Sequence, residues 1–415
     1  MGGDRLVKKT KHKHRSKTRH LQLKTTTDNP SPPPLPEDLI GQILHRLPVK
    51  SLLPLKCVSK SWQTLISDPQ FTKKQLQFSI AKSNLCPIFI SSICTTVSLE
   101  GRKIVSYNAE SVLEAKSADS IATNSKSFDF MDDYLIFGSC NGLLCVFQPG
   151  ENSLILWNPC MNLKSETSIT FVSPFGENGF ISYHGFGCYD YDQDHVKYKL
   201  LIVSYNVDDF SETVTRIYTS GEDSWRTIQD FPYGSSSADE NRYLGKFVSG
   251  NLNWLAKKED GDIKQEIILS FDIEKETFGE VLLPQLDGED VRNDILDVVG
   301  NCLCLCCDYI KTHWVVWLMK EYGVAESWTK LMIIHHFKPI LTEPRRVYRW
   351  NLNMSPSFVN PLFNSEYDIV IVKTVRSRLM LHNIIKGSSS LRRPCRWIRF
   401  DDLQIYHESL VLPQW

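Results

Sequence analysis

Several stretches carry side chains whose types could do chemistry. "CLCLCC", residues 302–307, gathers four thiols. In a strand, Cys302, Cys304 and Cys306 point to one face and cannot alone wrap a tetrahedral ion. No pair of CxxC motifs occurs, so these thiols read as small buried hydrophobes. His335 and His336 are adjacent, and a regular strand sends neighbours to opposite faces, which excludes a shared ligand or acid–base role. "GFGCYDYDQD" spaces Asp190, Asp192 and Asp194 like the start of a calcium loop. Counted from Asp192, however, the position of the closing bidentate glutamate holds Val203, so a β-turn is the better reading. Ser182 and His184 lack a nucleophile elbow and a third group to hold the base. No Gly-rich loop ending in Lys-Ser/Thr is present to cradle phosphate. These residues predict no catalytic group, no metal and no cofactor. An enzyme on a β scaffold is the alternative, and it would need clustered carboxylates or a triad.

The elements that carry these stretches are short strands. From about Leu85 onward, apolar runs alternate with turn residues. "YLIFGSCNGLLCVFQPGENSLILWNPC" reads as strand, Asn141-Gly142 turn, strand, turn, strand. Turns also fall at Ser220-Gly221, Ser249-Gly250-Asn251, Glu274-Lys275-Glu276 and Gly300-Asn301. Such strands predict a sandwich or a propeller. An aromatic recurs near the end of the units: Trp157, Trp225, Trp254, Trp317 and Trp328. A spacing of roughly 30 to 50 residues fits propeller blades, about six to eight of them. The tryptophans are expected to pack between blades.

The first part of the chain has a different texture. Leu39, Ile40, Ile43, Leu44 and Leu47 form one apolar stripe at helical period. Pro36 suits a first helical turn, Glu37 and Asp38 favour its dipole, and Pro48 stops the helix. A second short helix is expected with Ser51 as cap and Pro54 in its first turn. A third is expected with Ser59 as cap and Trp62, Leu65 and Ile66 on one face, ending at Asp68-Pro69. Three helices this short bury a small core. Their apolar count exceeds its needs, so part of it should face another protein.

The chain has a net charge of −1, unevenly spread. Residues 1–24 hold nine Lys/Arg against Asp4, a balance of +8, which leaves −9 for the rest. The acidic body argues against a nucleic-acid-binding domain and leaves the basic tail as a localisation signal, a weak phosphate-binding patch or a solvated segment. Residues 1–34, with "NPSPPPLP" at their end, read as a disordered tail and linker. The tail lacks the apolar core of a secretory signal, and no apolar run reaches ~18 residues. With twelve cysteines at no disulfide spacing, the expectation is an intracellular protein of nucleus or cytoplasm, without membrane contact. The expected organisation is a tail over 1–34, a helical unit over 35–80 and a β domain over 86–415.

"LPEDLIGQILHRLPVKSLLPLKCVSKSWQTLISDPQF" strongly resembles the F-box of plant F-box proteins. The matching features are Leu35-Pro36, Ile43-Leu44, the run from Leu47 to Leu52, and the run from Cys57 to Trp62. The remainder resembles the F-box-associated domain of the same proteins, through "SCNGLLC", "LWNPC", "GFGCYDYD", "SWRTI", "GNLNWLA", "LSFDIEKETF", "WLMKEYGVAESWTKL" and "YHESLVLP". "LWNPCMNLKSETS" departs from the usual Asn-Pro-X-Thr pattern, and Cys188 stands inside "GFGCYDYD". The resemblance implies a non-catalytic substrate receptor of a cullin-RING ubiquitin ligase. The F-box would dock on a Skp-type adaptor, and the β domain would capture the protein to be ubiquitinated.

Surplus apolar surface on a small helical unit is what a helix-in-groove contact requires. The expected adaptor contacts are Leu35, Pro36, Leu39, Ile43, Leu44, Leu47, Pro48, Leu52 and Trp62, with Val58 and Leu65 as internal core. "EPRRVYRW", residues 343–350, interleaves Arg with aromatics. It makes Arg345, Arg346 and Trp350 candidate target contacts.

Overall fold

A computed structural model of the chain describes residues 36–83, the strands between 88 and 129, most of 134–335, and the strands and C-terminal segment between 369 and 415. The basic tail, Leu35, and the stretch holding Arg345, Arg346 and Trp350 lie outside the described residues.

Four helices come first: α1 (Glu37–His45), α2 (Val49–Leu55), α3 (Lys60–Ser67) and α4 (Pro69–Ser83). Pro36 precedes α1, with Glu37 and Asp38 in its first turn. Ser59 caps α3 as expected, its Oγ accepting from Trp62 N at 3.2 Å. The helix α4 is the departure from a three-helix reading. Asp68-Pro69 does not end the helical unit; it starts another helix. Asp68 Oδ1 accepts from Phe71 N at 2.9 Å, and Pro69 occupies the first helical position, where a missing N–H costs nothing. Phe71, Gln75, Leu76 and Ser79 are buried at helical spacing, so α4 runs through the expected boundary at residue 80.

The rest is a meander of antiparallel sheets, six in number among the described residues. The second blade comprises Leu135–Cys140, Leu143–Gln148, Ser153–Asn158 and Leu163–Lys164, with Ile169–Thr170 added at its edge. The third is Gly179–Asp190, Val196–Asn206, Thr213–Thr219 and Arg226–Thr227. The fourth and fifth follow the same plan over residues 246–281 and 291–335, and the sixth has three strands within 369–392. The first blade is made from both ends of the domain. Ile398–Tyr406 pairs with Ile88–Thr95, Ile88 opposite Tyr406, while Lys103–Asn108 and Lys126–Asp129 complete the sheet. This return of the last strand to the first sheet ties the two ends of the β domain together and covers the edge of Ile88–Thr95. The architecture is therefore helical plus all-β, with a β-propeller domain that shows six sheets among the described residues.

Short-range signals explain the hairpins. Asn141 (φ 51°) and Gly142 (φ 77°) both occupy the left-handed region that a two-residue hairpin turn demands. Apolar clusters then fill the joints between blades. Leu252, Trp254 and Ala256 of the fourth blade pack with Leu201, Val203 and Ile217 of the third. The recurring tryptophans do this work directly. Trp225 Nε1 donates to Thr170 O (3.0 Å), Trp254 Nε1 to His184 O (3.2 Å) and Trp328 Nε1 to Leu282 O (2.9 Å). In each case the indole reaches back to the preceding blade, burying its rings while satisfying its one donor.

Candidate functional site

The helical unit is the candidate interaction site, and its construction begins with a core it does not own alone. Leu44, Val49, Leu52, Ile66 and Phe71 form a buried cluster with Cys160 of the second blade and Leu410 of the C-terminal segment. Leu44 and Leu52, expected at the adaptor contact, are 2% and 0% exposed. They are core, because the face they occupy is turned toward the propeller. His45 stacks on Phe71 at 4.2 Å between ring centroids, and burial together with Lys74 holds its pKa below the ordinary histidine value.

Two polar contacts pin the joint. Glu408 Oε2 accepts from Val49 N at 3.1 Å. It serves the first turn of α2 as a cap, which Pro48 cannot do and which Ser51, inside the helix, does not. At the other side, Lys73 Nζ lies 3.0 Å from Asp190 Oδ2, joining α4 to the end of the innermost strand of the third blade.

The C-terminal segment that supplies Glu408 and Leu410 is itself held by two of the motif stretches. Asn158 of "LWNPC" is fully buried. Its Nδ2 donates to Ser409 O (3.0 Å) and Val411 O (2.9 Å), while its Oδ1 accepts from Cys160 N (2.9 Å) and Met161 N (3.2 Å). A Cβ at Gly142 of "SCNGLLC" would collide with Ser409 and the His407 carbonyl, so glycine lets the segment lie against the turn. His407 is half-buried there, and desolvation pushes its pKa down to about 4.

What remains outside is a set of uncovered apolar side chains. Leu39 is 44% exposed and Ile43 51%, one turn apart on the same face of α1. Pro36 and Pro48 are exposed at the two ends of that helix, and Leu47 and Trp62 are half-buried at the edge of the core. Val58, expected inside, is 61% exposed in the turn between α2 and α3. Leu65 packs on the core as expected. Phe78 adds an exposed ring on α4, a helix absent from the sequence reading. Val58 is expected on the second helix with Leu52, Leu53 and Leu55, but that helix ends at Leu55, and the signal for its exposure is its place directly before the Ser59 cap.

The stretches with chemically capable side chains make packing and turn contacts. Cys304 and Cys306 lie in a cluster with Val299, Trp314 and Met332, while Leu305 and Cys307 face the opposite cluster, as alternation along the strand requires. Asp192 accepts from His195 N (2.7 Å) and meets His195 Nδ1 (2.8 Å), closing a tight turn. Asp190 belongs to the Lys73 pair. His184 stacks on Phe137 at 4.0 Å, and burial reinforced by Lys246 pushes its pKa down to about 3, so the ring stays neutral. "LSFDIEKETF" ends in a clip between blades. Asp272 Oδ1 accepts from Glu274 N and Lys275 N, which turns Glu276 toward the buried Lys199 (2.6 Å) and Arg226 (2.8 Å) of the third blade. Among the described residues, no helix is long and apolar enough to cross a membrane.

Comparison with known proteins agrees with this division. Residues 34–74 match the F-box domain and residues 90–379 match the F-box associated beta propeller domain. An F-box/kelch-repeat protein of Arabidopsis thaliana is 30% identical over 388 residues, covering 91% of this chain and 96% of its own length. The F-box protein CPR1 of the same plant is 25% identical over 326 residues, 74% of each chain. A chain of a solved nidogen/laminin complex aligns over 78% of this chain and 99% of its own at 10% identity, with a TM-score of 0.43, too distant to inform the argument. The two family matches, over the helical unit and over the β domain, show that the chain belongs to the F-box proteins with an F-box-associated β-propeller domain.

Proposed function

We propose that this protein is the substrate-recognition subunit of a cullin-RING ubiquitin ligase of the SCF type. Its helical unit docks on a Skp-type adaptor, and its propeller captures a protein for ubiquitination. The observation that carries the reading is the division of the helices into two faces. Leu44, Val49 and Leu52 are sealed into the propeller joint, while Leu39, Ile43 and Val58 are left bare. Bare leucine and isoleucine one turn apart are suited to a partner's apolar groove, and a few such side chains dominate a contact of this kind. Pro36, Leu47, Pro48 and Trp62 border them.

A rigid joint matters for such a receptor. It transfers no group itself; it holds a target lysine near an activated ubiquitin, and that effect depends on fixed geometry. The shared core, Glu408 and Lys73 supply the rigidity. The strand Gly179–Asp190 starts on the propeller face away from α4 and ends beside it, roughly 36 Å along at ~3.3 Å per residue. Phe180 and Val172, 55% and 65% exposed, belong to the far end. We place target capture on that far face, with Arg345, Arg346 and Trp350 as further contacts on the strength of their composition.

The test is co-purification of a Skp-type adaptor with the full chain. The paired substitution Leu39→Asp and Ile43→Asp should abolish it while the β-sheet circular dichroism is unchanged. Adaptor binding that survives the pair, or a wild-type chain that binds no adaptor, would overturn the proposal.

A further inference from the structure

The innermost strands of the second and third blades, Leu135–Cys140 and Gly179–Asp190, lie side by side although no sheet joins them. Their residues meet at a constant offset. A Cβ on Gly138 would stand 2.9 Å from Phe186 Cβ, so glycine is what lets the two backbones approach. Two residues further along both strands, Cys140 meets Cys188. Both are free thiols, and the Cys140 Sγ–H donates to Cys188 Sγ at 2.8 Å. That separation is well inside ordinary sulfur contact and about 0.8 Å longer than a disulfide. Asn141 Nδ2 donates to the same Cys188 sulfur at 3.2 Å, fixing its position. Cys140 is buried, while Cys188 is partly exposed.

We propose that Cys140 and Cys188 form an oxidation site, closing to an inter-blade disulfide when the protein meets a hydroperoxide. The Cys188 thiolate attacks one peroxide oxygen, the O–O bond breaks, and an alcohol or water leaves with a proton. Cys188 becomes a sulfenic acid. The Cys140 sulfur then attacks Cys188 Sγ, the S–O bond breaks, and hydroxide leaves as water with the Cys140 proton. Two thiols lose two electrons and two protons; one hydroperoxide is reduced. A transient, redox-sensing disulfide of this kind suits a compartment that otherwise keeps thiols reduced.

Burial pushes the Cys140 thiol well above its usual pKa, which makes it a poor first nucleophile and suits it to the second, resolving step. The bond would span 48 residues and weld the second blade to the third. It would also immobilise Asn141, whose turn carries the C-terminal segment through Gly142 and Ser409, and through that segment the seat of the helical unit. This inference rests on the strand geometry alone and is independent of adaptor binding.

The full chain, first fully reduced, is treated with hydrogen peroxide, alkylated and digested with trypsin. The expected product joins peptide 127–164 to peptide 165–197 with loss of about 2 Da, and fragmentation places the bond at Cys140 and Cys188. The substitution Cys140→Ser should abolish the joined peptide, although Cys145 and Cys160 remain in peptide 127–164. The proposal is overturned if both thiols are recovered alkylated or as sulfinic acids. It is equally overturned if Cys188 pairs with Cys145 or Cys160, or if the linkage of peptide 127–164 to peptide 165–197 survives in Cys140→Ser. Should that variant fail to fold, the position of the bond in the wild-type digest decides.

Discussion

The carboxylate of Glu408 caps the first turn of α2 through Val49 N, 3.1 Å away and 359 residues earlier in the chain. The start of a helix in the N-terminal unit is thus set by the last residues of the propeller. The Val49 N–H would otherwise stay unpaired at a buried residue. Replacing Glu408 with Ala should cost about 1 kcal/mol, the usual worth of a cap. Differential scanning calorimetry should register it in the helical unit, and Glu408→Gln should recover part of the loss because its amide oxygen still accepts.

The two faces of α1 should respond oppositely to substitution. Leu39→Asp should change stability by no more than about 0.5 kcal/mol, as exposed substitutions do, while removing adaptor affinity. Leu44→Ala should cost about 2 to 5 kcal/mol through the cavity left between helices and propeller. Urea melts and adaptor titrations on the same two variants separate the roles. Equal stability losses would sink the assignment of faces.

Asn158 satisfies four backbone groups at once in a site without solvent. Asn158→Ala strands those groups and should destabilise by about 3 kcal/mol. Limited proteolysis should then release the segment after Tyr406 before the blades are cut. Asn158→Asp should be worse, because a carboxylate would face two carbonyl oxygens.

Lys199 and Glu276 form a nearly buried pair across the third and fourth blades, 2.6 Å apart. Glu276→Ala leaves the ammonium buried without its counter-charge and should cost about 3 to 5 kcal/mol. The double substitution Lys199→Met with Glu276→Leu should cost less than Glu276→Ala alone. A double-mutant cycle in guanidinium melts measures the difference.

Acid should loosen the propeller before it reaches the carboxylate range. His184 and His407 are held neutral by burial, with pKa values near 3 and near 4 against 6.5 unfolded. Between those values the unfolded chain binds more protons than the native one, so stability falls as pH drops from about 6.5 toward 4. Above 6.5 both states are neutral and the effect vanishes. Melting temperatures at pH 7.5, 6, 5 and 4.5 should trace the decline, and His407→Asn should flatten part of it.

The local chain spelled out much of this molecule. The stripe Leu39–Leu47, the Ser59 cap and the Asn141-Gly142 turn follow from backbone geometry within a few residues. So does the alternation Cys304, Leu305, Cys306, Cys307, because residues three or two apart share a face whatever lies beyond. The motif stretches also declared the family and its two-part plan. Other features depend on surfaces brought together from far apart. Asp68-Pro69 could stop one helix or start another, and the apolar face of α4 settled it by finding a core. Leu44 and Leu39 are the same residue type on one stripe; Cys160 and Leu410 cover the first and leave the second bare. The make-up of the first sheet came from Ile398–Tyr406 pairing with Ile88–Thr95, and the meeting of Cys140 with Cys188 from the docking of two strands that share no sheet. Periodicity tells which side chains lie together on an element, whereas burial depends on what packs against it, and that partner can be hundreds of residues away.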